Sequence, residues 1–142
     1  MKWGYILGAP RRPTVAEQER VLRALGLTFD DFGPVWRDVV PRLSTRPWHQ
    51  LEGRRALLDA VQPGDTVVVA EPFCLGASAK DARAFLDALA DRGVTAMVNG
   101  GLRVIAPGDD VAEVVAEVAT RQNVTAVRAS EARARKRRKP KV

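Results

Sequence analysis

The strongest constraint on the fold is a short apolar run in the middle of the chain. Val67-Val68-Val69-Ala70 follows Thr66 without a polar residue, directly after the turn sequence Pro63-Gly64-Asp65. A strand that is apolar at every position is typical of a parallel sheet covered on both faces, because neither face meets water. Residues 48–61, with Leu51, Leu57 and Leu58, and residues 79–91, which end before Gly93, are predicted to form the covering helices. This run therefore predicts an α/β fold.

The rest of the chain repeats this alternation of strand and helix. Thr14 followed by Glu17 is a capping box and predicts a helix that ends at Gly26. Residues 29–50, with three prolines, are predicted to be irregular. Strands are predicted at residues 2–7, 66–70, 94–98 and 102–105. Together these segments predict a mostly parallel sheet of four or five strands flanked by helices.

A long helix is predicted to begin at Asp109. Its apolar seam is too long and too one-sided for one more crossover helix, so we expect an oligomer interface there, formed by Val111, Val114, Val115 and Val118. The expected organisation is an α/β domain over residues 1–106, an oligomerisation helix over residues 107–127 and a basic arm over residues 128–142.

Positive charge is concentrated at the C-terminal end of the sequence. Residues 1–127 carry 15 lysines and arginines against 16 acidic residues, whereas the last fifteen residues carry eight against one. A nearly neutral globule with a basic arm is the layout expected of a protein that binds a polyanion. The predicted DNA-binding residues are the eight cations Arg128, Arg133, Arg135, Lys136, Arg137, Arg138, Lys139 and Lys141.

Composition argues against several other classes of protein. A single cysteine and a single histidine exclude an intramolecular disulfide and give little support to a zinc site. We expect no metal and no cofactor. No apolar stretch reaches the ~20 residues that cross a bilayer, and no leader peptide is evident, so we expect no membrane partner. The expected location is cytoplasmic and nucleoid-associated, in a bacterial or phage setting.

Five short segments, taken in order, resemble the catalytic domain of the serine recombinases, the resolvase and invertase family. The opening strand is similar to the family strand that leads into Tyr-x-Arg-x-Ser, and the long helix with its basic end is similar to the family's dimerisation helix, whose basic end lies along the minor groove. The matching segments are Lys2-Trp3-Gly4-Tyr5, Arg46-Pro47, Gln62-Pro63-Gly64-Asp65, Leu75-Gly76-x-Ser78 and Arg92-Gly93-Val94. The resemblance implies a resolvase-like α/β domain that oligomerises and contacts DNA.

The chain departs from the family at the residues that cut DNA. Counted from Tyr5, the nucleophilic serine position holds Ala9 and the preceding arginine position holds Leu7. In the segment similar to Asp-Arg-Leu-Gly-Arg-Ser, the aspartate and the two arginines are replaced by Phe73, Cys74 and Ala77. A methyl group cannot attack a phosphodiester, and the lost arginines would have stabilised its transition state. The resemblance therefore implies a pseudoenzyme with a filled former active site.

Two of the residues at these positions keep alternative interpretations. Arg46, the one member of the arginine set that remains, is either a relic held in a structural ion pair or a surviving phosphate contact. Cys74 is either an inert buried thiol or a replacement nucleophile.

The function expected from the sequence is that of a catalytically inactive accessory or regulatory factor. It would oligomerise as a dimer or higher assembly and grip duplex DNA through its arm, at the phosphate backbone and minor groove. A related active recombinase or another protein is a further expected partner. The alternative is a structural protein that coats or packages DNA through recombinase-type interfaces. RNA remains open as a ligand, although no aromatic residue lies near the arm to stack an unpaired base.

Overall fold

The fold is an α/β sandwich with one central sheet. The computed structural model describes residues 1–29, 33–40 and 51–138, and within its last helix it does not describe the side chains of residues 125–129 and 135–138. The strands are β1 (Lys2–Gly8), β2 (Val35–Val39), β3 (Thr66–Val69), β4 (Thr95–Val98) and β5 (Arg103–Ile105). The helices are α1 (Val15–Ala24), α2 (Glu52–Ala60), α3 (Ala79–Asp91) and α4 (Ala112–Arg138), with a 3-10 turn at Pro72–Leu75.

The five strands lie in the order β2-β1-β3-β4-β5. Strands β1 to β4 pair in parallel, and β5 joins the edge of the sheet antiparallel to β4. The prediction of a mostly parallel sheet of four or five strands flanked by helices is therefore confirmed. This strand order is common among doubly wound α/β folds. The order in which strands are added to the sheet changes direction between β1 and β3, because β2 lies on one side of β1 and β3 lies on the other.

Two apolar clusters cover the two faces of the sheet. On one face, Leu22 of α1 packs with Ile6 and Val68 of the central strands. On the other face, α2, α3 and the first turns of α4 bury a larger cluster that includes Tyr5, Leu57 and Phe85. The alternation of Val67, Val68 and Val69 between the two clusters explains why this strand has no polar position.

The prediction that residues 29–50 are irregular is wrong where β2 forms. Val35–Val39 pairs with β1 along its length, although Pro34 and Pro41 flank it in the sequence. β2 is an edge strand, and edge strands tolerate the charged side chains that hid this segment from a hydrophobicity pattern. Residues 41–50 lie outside the described residues.

Asp38 joins β2 to its neighbours. Its carboxylate accepts hydrogen bonds from the Tyr5 hydroxyl at 2.7 Å and from the backbone N–H groups of Gly53 and Arg54 at 2.8 and 2.9 Å. The last two contacts satisfy free donors in the first turn of α2, as a capping side chain does. Gly53 is required here, because a Cβ atom would overlap the backbone carbonyl of Arg37. Asp38 thereby fixes α2 against β1 and β2.

Asp65 gathers three donors at the amino-terminal edge of the sheet. Its carboxylate accepts from the Gln62 backbone N–H, the Trp3 indole N–H and the N-terminal ammonium of Met1, at 2.8 to 2.9 Å. These contacts, led by the Gln62 hydrogen bond, lower the pKa of Asp65 to about 2. The Pro-Gly-Asp turn before β3 is thus tied to the start of β1.

The seam of α4 packs inside its own chain. Val114 and Val118 are buried in the larger cluster, and Val111 and Val115 pack against it. The start of α4 therefore belongs to the same core as the sheet. The sequence predicts an oligomer interface at these four valines. Val114 and Val118 are buried within the chain itself, so an interface with a second copy would have to use another face of α4. Whether α4 mediates oligomerisation stays a prediction.

Candidate functional site

The crevice at the carboxyl ends of β1 and β3 is the candidate site that the fold favours. In open α/β sheets, ligands bind outside the carboxyl ends of the strands at the point where strand order reverses. Here that point lies between the loop after β1 and the loop after β3. Of the residues predicted to form the degenerate active site, Leu7 lies at the end of β1, Ala9 follows β1, and Phe73, Cys74 and Ala77 follow β3.

Apolar side chains occupy this crevice. Leu7 and Cys74 have no exposed surface, and Phe73 is 3% exposed. Ala9 packs against the same core, and Ala77 is half-buried with its N–H donating to Asp81. Arg46 lies outside the described residues. The part of the crevice that the structure describes therefore presents no hydroxyl nucleophile at these positions.

Arg12 closes the crevice from the β1 side. Its guanidinium donates hydrogen bonds to the backbone carbonyl of Phe73 at 3.0 Å and to that of Gly76 at 2.7 Å. It also stacks on the Phe73 ring, with 3.9 Å between the guanidinium carbon and the ring centroid. Burial lowers the pKa of Arg12, although the nearby carboxylates of Asp81 and Glu71 favour its charge. The guanidinium therefore uses its hydrogen bonds to Phe73 and Gly76 to bind the loop after β3.

Arg54 supports the same loop from beneath. Its Nη1 lies 3.0 Å from both carboxylate oxygens of Asp81, and its Nη2 donates to the Leu75 carbonyl at 2.6 Å. The Arg54 side chain is fully buried and lies against the rings of Tyr5 and Phe85. Such an ion pair holds only because hydrogen bonds and ring contacts offset the cost of removing both charges from water.

Gly76 is required by this arrangement. A Cβ at position 76 would come within 2.7 Å of an Asp81 carboxylate oxygen and within 2.6 Å of the Ala82 nitrogen. The Leu75-Gly76-x-Ser78 segment therefore has a structural explanation in this chain. Ser78 caps α3 by accepting a hydrogen bond from the Asp81 N–H.

Sequence reasoning missed the polar residues that organise the crevice. Gln18 is fully buried and bonds both the N–H and the carbonyl of Leu7, at 3.2 and 2.8 Å. A signal was present, since Gln18 and Arg54 each lie at helical spacing from apolar core positions, Leu22 and Leu57–Leu58 respectively. A polar residue in such a stripe indicates a buried hydrogen-bond network.

Cys74 is a buried free thiol. Burial, aided by the charge of Glu71, raises the pKa of Cys74 to about 12. A thiolate is the reactive form, and its population at neutral pH is suppressed at such a pKa. This geometry favours the structural interpretation of Cys74 over a replacement nucleophile.

In the sequence, the predicted DNA-binding cations lie in residues 128–142, well after the loops that form the crevice. The helical backbone of α4 extends through Arg138. Of the predicted cations, Arg133 has a described side chain, and it is exposed. The side chains of Arg128, Arg135, Lys136, Arg137 and Arg138 are not described, and Lys139 and Lys141 lie outside the described residues.

Statements about metal and membrane sites apply to the described residues 1–29, 33–40 and 51–138. Within them, no group of three or more histidine, cysteine, aspartate or glutamate side chains is placed to hold a metal ion. Among the described helices, none combines the length and the apolar character needed to span a bilayer.

The sequence matches no protein-family model. A search of curated proteins likewise finds no match. The likeness to serine recombinases therefore rests on the short segments quoted above and is a hypothesis.

We predict that Arg54→Met lowers the free energy of unfolding by about 3–5 kcal/mol, because it leaves the Asp81 carboxylate buried and unpaired. Adding Asp81→Asn removes that charge and keeps an acceptor for the Ala77 N–H. The double variant should therefore be more stable than Arg54→Met alone, as measured by urea denaturation. Strictly additive losses in this double-mutant cycle would show that the two side chains do not interact.

We predict that Cys74 reacts with a thiol reagent such as dithionitrobenzoate only after unfolding. At pH 8 the native rate should be at least about 100-fold below that of the guanidinium-unfolded chain, because burial and the raised pKa both suppress the thiolate. The absorbance of released thionitrobenzoate measures both rates. Equal rates would restore Cys74 as a candidate nucleophile.

Proposed function

We propose that this chain is a catalytically inactive DNA-binding protein that grips duplex DNA through its basic arm, residues 128–142. The observation that carries the proposal is the segregation of charge: eight cations and one acidic residue in the last fifteen residues, on a globule with 15 cations and 16 acidic residues. A uniform distribution would indicate only a basic protein. Segregated charge supports a dedicated contact with a polyanion.

The geometry of α4 supports the arm as an extension of the globule. The Ala79 N–H donates to the Gln122 side chain at 3.1 Å, which ties this part of α4 to α3. Beyond it, Ser130, Glu131, Ala132 and Arg133 are exposed. The stretch from Asn123 to Arg138 would span about 24 Å at the rise of an α-helix, roughly seven base pairs of duplex. Cations along it could contact successive phosphates.

The residues that occupy the crevice support the proposal that the chain does not cleave DNA. Leu7, Phe73 and Cys74 fill it, and the Arg12 guanidinium is committed to the Phe73 and Gly76 carbonyls. A transferred phosphoryl group needs a nucleophile and donors directed at its oxygens. The resemblance to serine recombinases implies that this chain descends from an active enzyme and has lost these groups. In the proposed function it acts as an accessory or regulatory factor that oligomerises on DNA.

We predict that replacing Arg135, Lys136, Arg137 and Arg138 with glutamine weakens binding to a fluorescent duplex and reduces its salt dependence. Each phosphate contact contributes about 0.9 to the slope of log affinity against log salt, so the slope should fall by about 2–4. Fluorescence anisotropy across a salt series measures both quantities. A chain truncated after Val127 should lose binding altogether.

The matched control removes four positive charges from the globule instead. Arg20, Arg55, Lys80 and Arg83 are exposed on α1, α2 and α3, and their replacement by glutamine gives the same net charge. This control should retain the salt slope of the parent. If both quadruple variants lose affinity equally, binding reflects net charge and the arm has no special role. If the parent does not bind duplex DNA at low salt, the proposed function is wrong, whether or not it binds a single-stranded RNA.

A further inference from the structure

A second cavity lies beside the crevice, between α4 and the carboxyl ends of β3 and β4. Its volume is about 540 Å³, within the range of small-molecule sites. Glu71 and Asn99, which lie just beyond β3 and β4, form one side of it, and Glu117 and Thr120 of α4 form the other. It therefore occupies the edge of the sheet at which α/β folds bind ligands.

The charged side chains that line this cavity are mostly carboxylates. Arg103 pairs with Glu117 at 2.8 Å and with Glu113 at 3.4 Å. Arg121 lies 3.9 Å from the nearer oxygen of Glu71. The lining itself holds three carboxylates, those of Glu71, Glu113 and Glu117, and one guanidinium, that of Arg121, while Arg103 pairs with Glu113 and Glu117 from outside the lining. A positively charged head on a ligand would reduce this excess of negative charge.

Glu71 is the carboxylate with unused hydrogen-bonding capacity. Its Oε1 atom is buried, and it accepts no hydrogen bond from the described residues. The 3.9 Å separation from the Arg121 Nη2 is too long for a hydrogen bond. A buried acceptor without a donor is unfavourable. The Glu71 side chain is 28% exposed, so a ligand N–H can approach its carboxylate from the cavity and supply a donor.

The cavity also has apolar walls that suit an organic body. Pro72, Phe73 and Ala116 line it beside Glu71. We propose that this cavity binds a small organic monocation, with an amine or guanidinium head at Glu71 and an apolar body against Pro72, Phe73 and Ala116. This site is separate from the basic arm, so it does not depend on the proposed DNA-binding function.

Three probes of one shape and different charge test the proposal. Phenethylamine, 2-phenylethanol and phenylacetate share an aromatic body and carry a positive, a neutral and a negative head. Titrating each into the ¹⁵N-labelled full chain should move the amide signals of Glu71, Asn99 and Thr120. The amine should bind about tenfold more tightly than the alcohol, because its hydrogen bond to the carboxylate is charge-assisted, and the carboxylate probe should bind most weakly.

Variants separate this site from non-specific attraction. Glu71→Gln should remove the preference for the amine over the alcohol, and Ala116→Trp should weaken both probes by filling the cavity. The matched control Glu52→Gln removes an exposed carboxylate on α2 and should leave all affinities unchanged. Equal affinities for the three probes, or an amine preference that survives Glu71→Gln in a folded variant, would overturn the proposal, as would no binding of phenethylamine at millimolar concentration.

Discussion

The buried guanidinium of Arg54 is the contact on which the rest of this structure depends. It lies where α2, α3 and the 3-10 turn after β3 meet, paired with Asp81 and bonded to the Leu75 carbonyl. Asp81 in turn holds the Ala77 N–H, and its position requires Gly76. The backbone N–H of Arg54 is fixed by Asp38, which also binds Tyr5. One polar network thereby sets the shape of the crevice loops.

The pattern of apolar residues predicted the main elements correctly because burial on each face dictates it. The uninterrupted Val67–Val69 run predicted a central parallel strand, and the capping box at Thr14 predicted the start of α1, where the Thr14 hydroxyl accepts from the Glu17 N–H. Strand β2 was not predicted because Arg37 and Asp38 break its apolar alternation. The segment forms a strand because its backbone pairs with β1, and its own sequence does not indicate this pairing.

The candidate site was predictable in its location and less so in its contacts. The motif comparison directed attention to Leu7, Ala9, Phe73, Cys74 and Ala77, and the fold brings their loops together. Arg12, Gln18 and Arg54 escaped notice because an isolated polar residue in a sequence does not show which backbone groups it will bond. The cavity at Glu71 was not predicted for a similar reason, since α4 and the segments that follow β3 and β4 form it from distant parts of the chain.

Two features of the chain combine in the proposed function. Apolar side chains and the hydrogen-bonded Arg12 guanidinium occupy the crevice, and the segregated cations of residues 128–142 are the proposed polyanion contact. A protein of this design would hold DNA and leave it intact. Its affinity would come mainly from phosphates, so it would depend strongly on salt and weakly on sequence.

The most direct measurement is a map of amide chemical shifts of the ¹⁵N-labelled chain on addition of a short duplex. The account predicts that the changes concentrate in residues 128–142, while the amides of Cys74, Gly76 and Ala77 remain unchanged. Changes centred on the crevice loops, with the arm unaffected, would contradict it and would place the nucleic-acid contact at the carboxyl ends of β1 and β3.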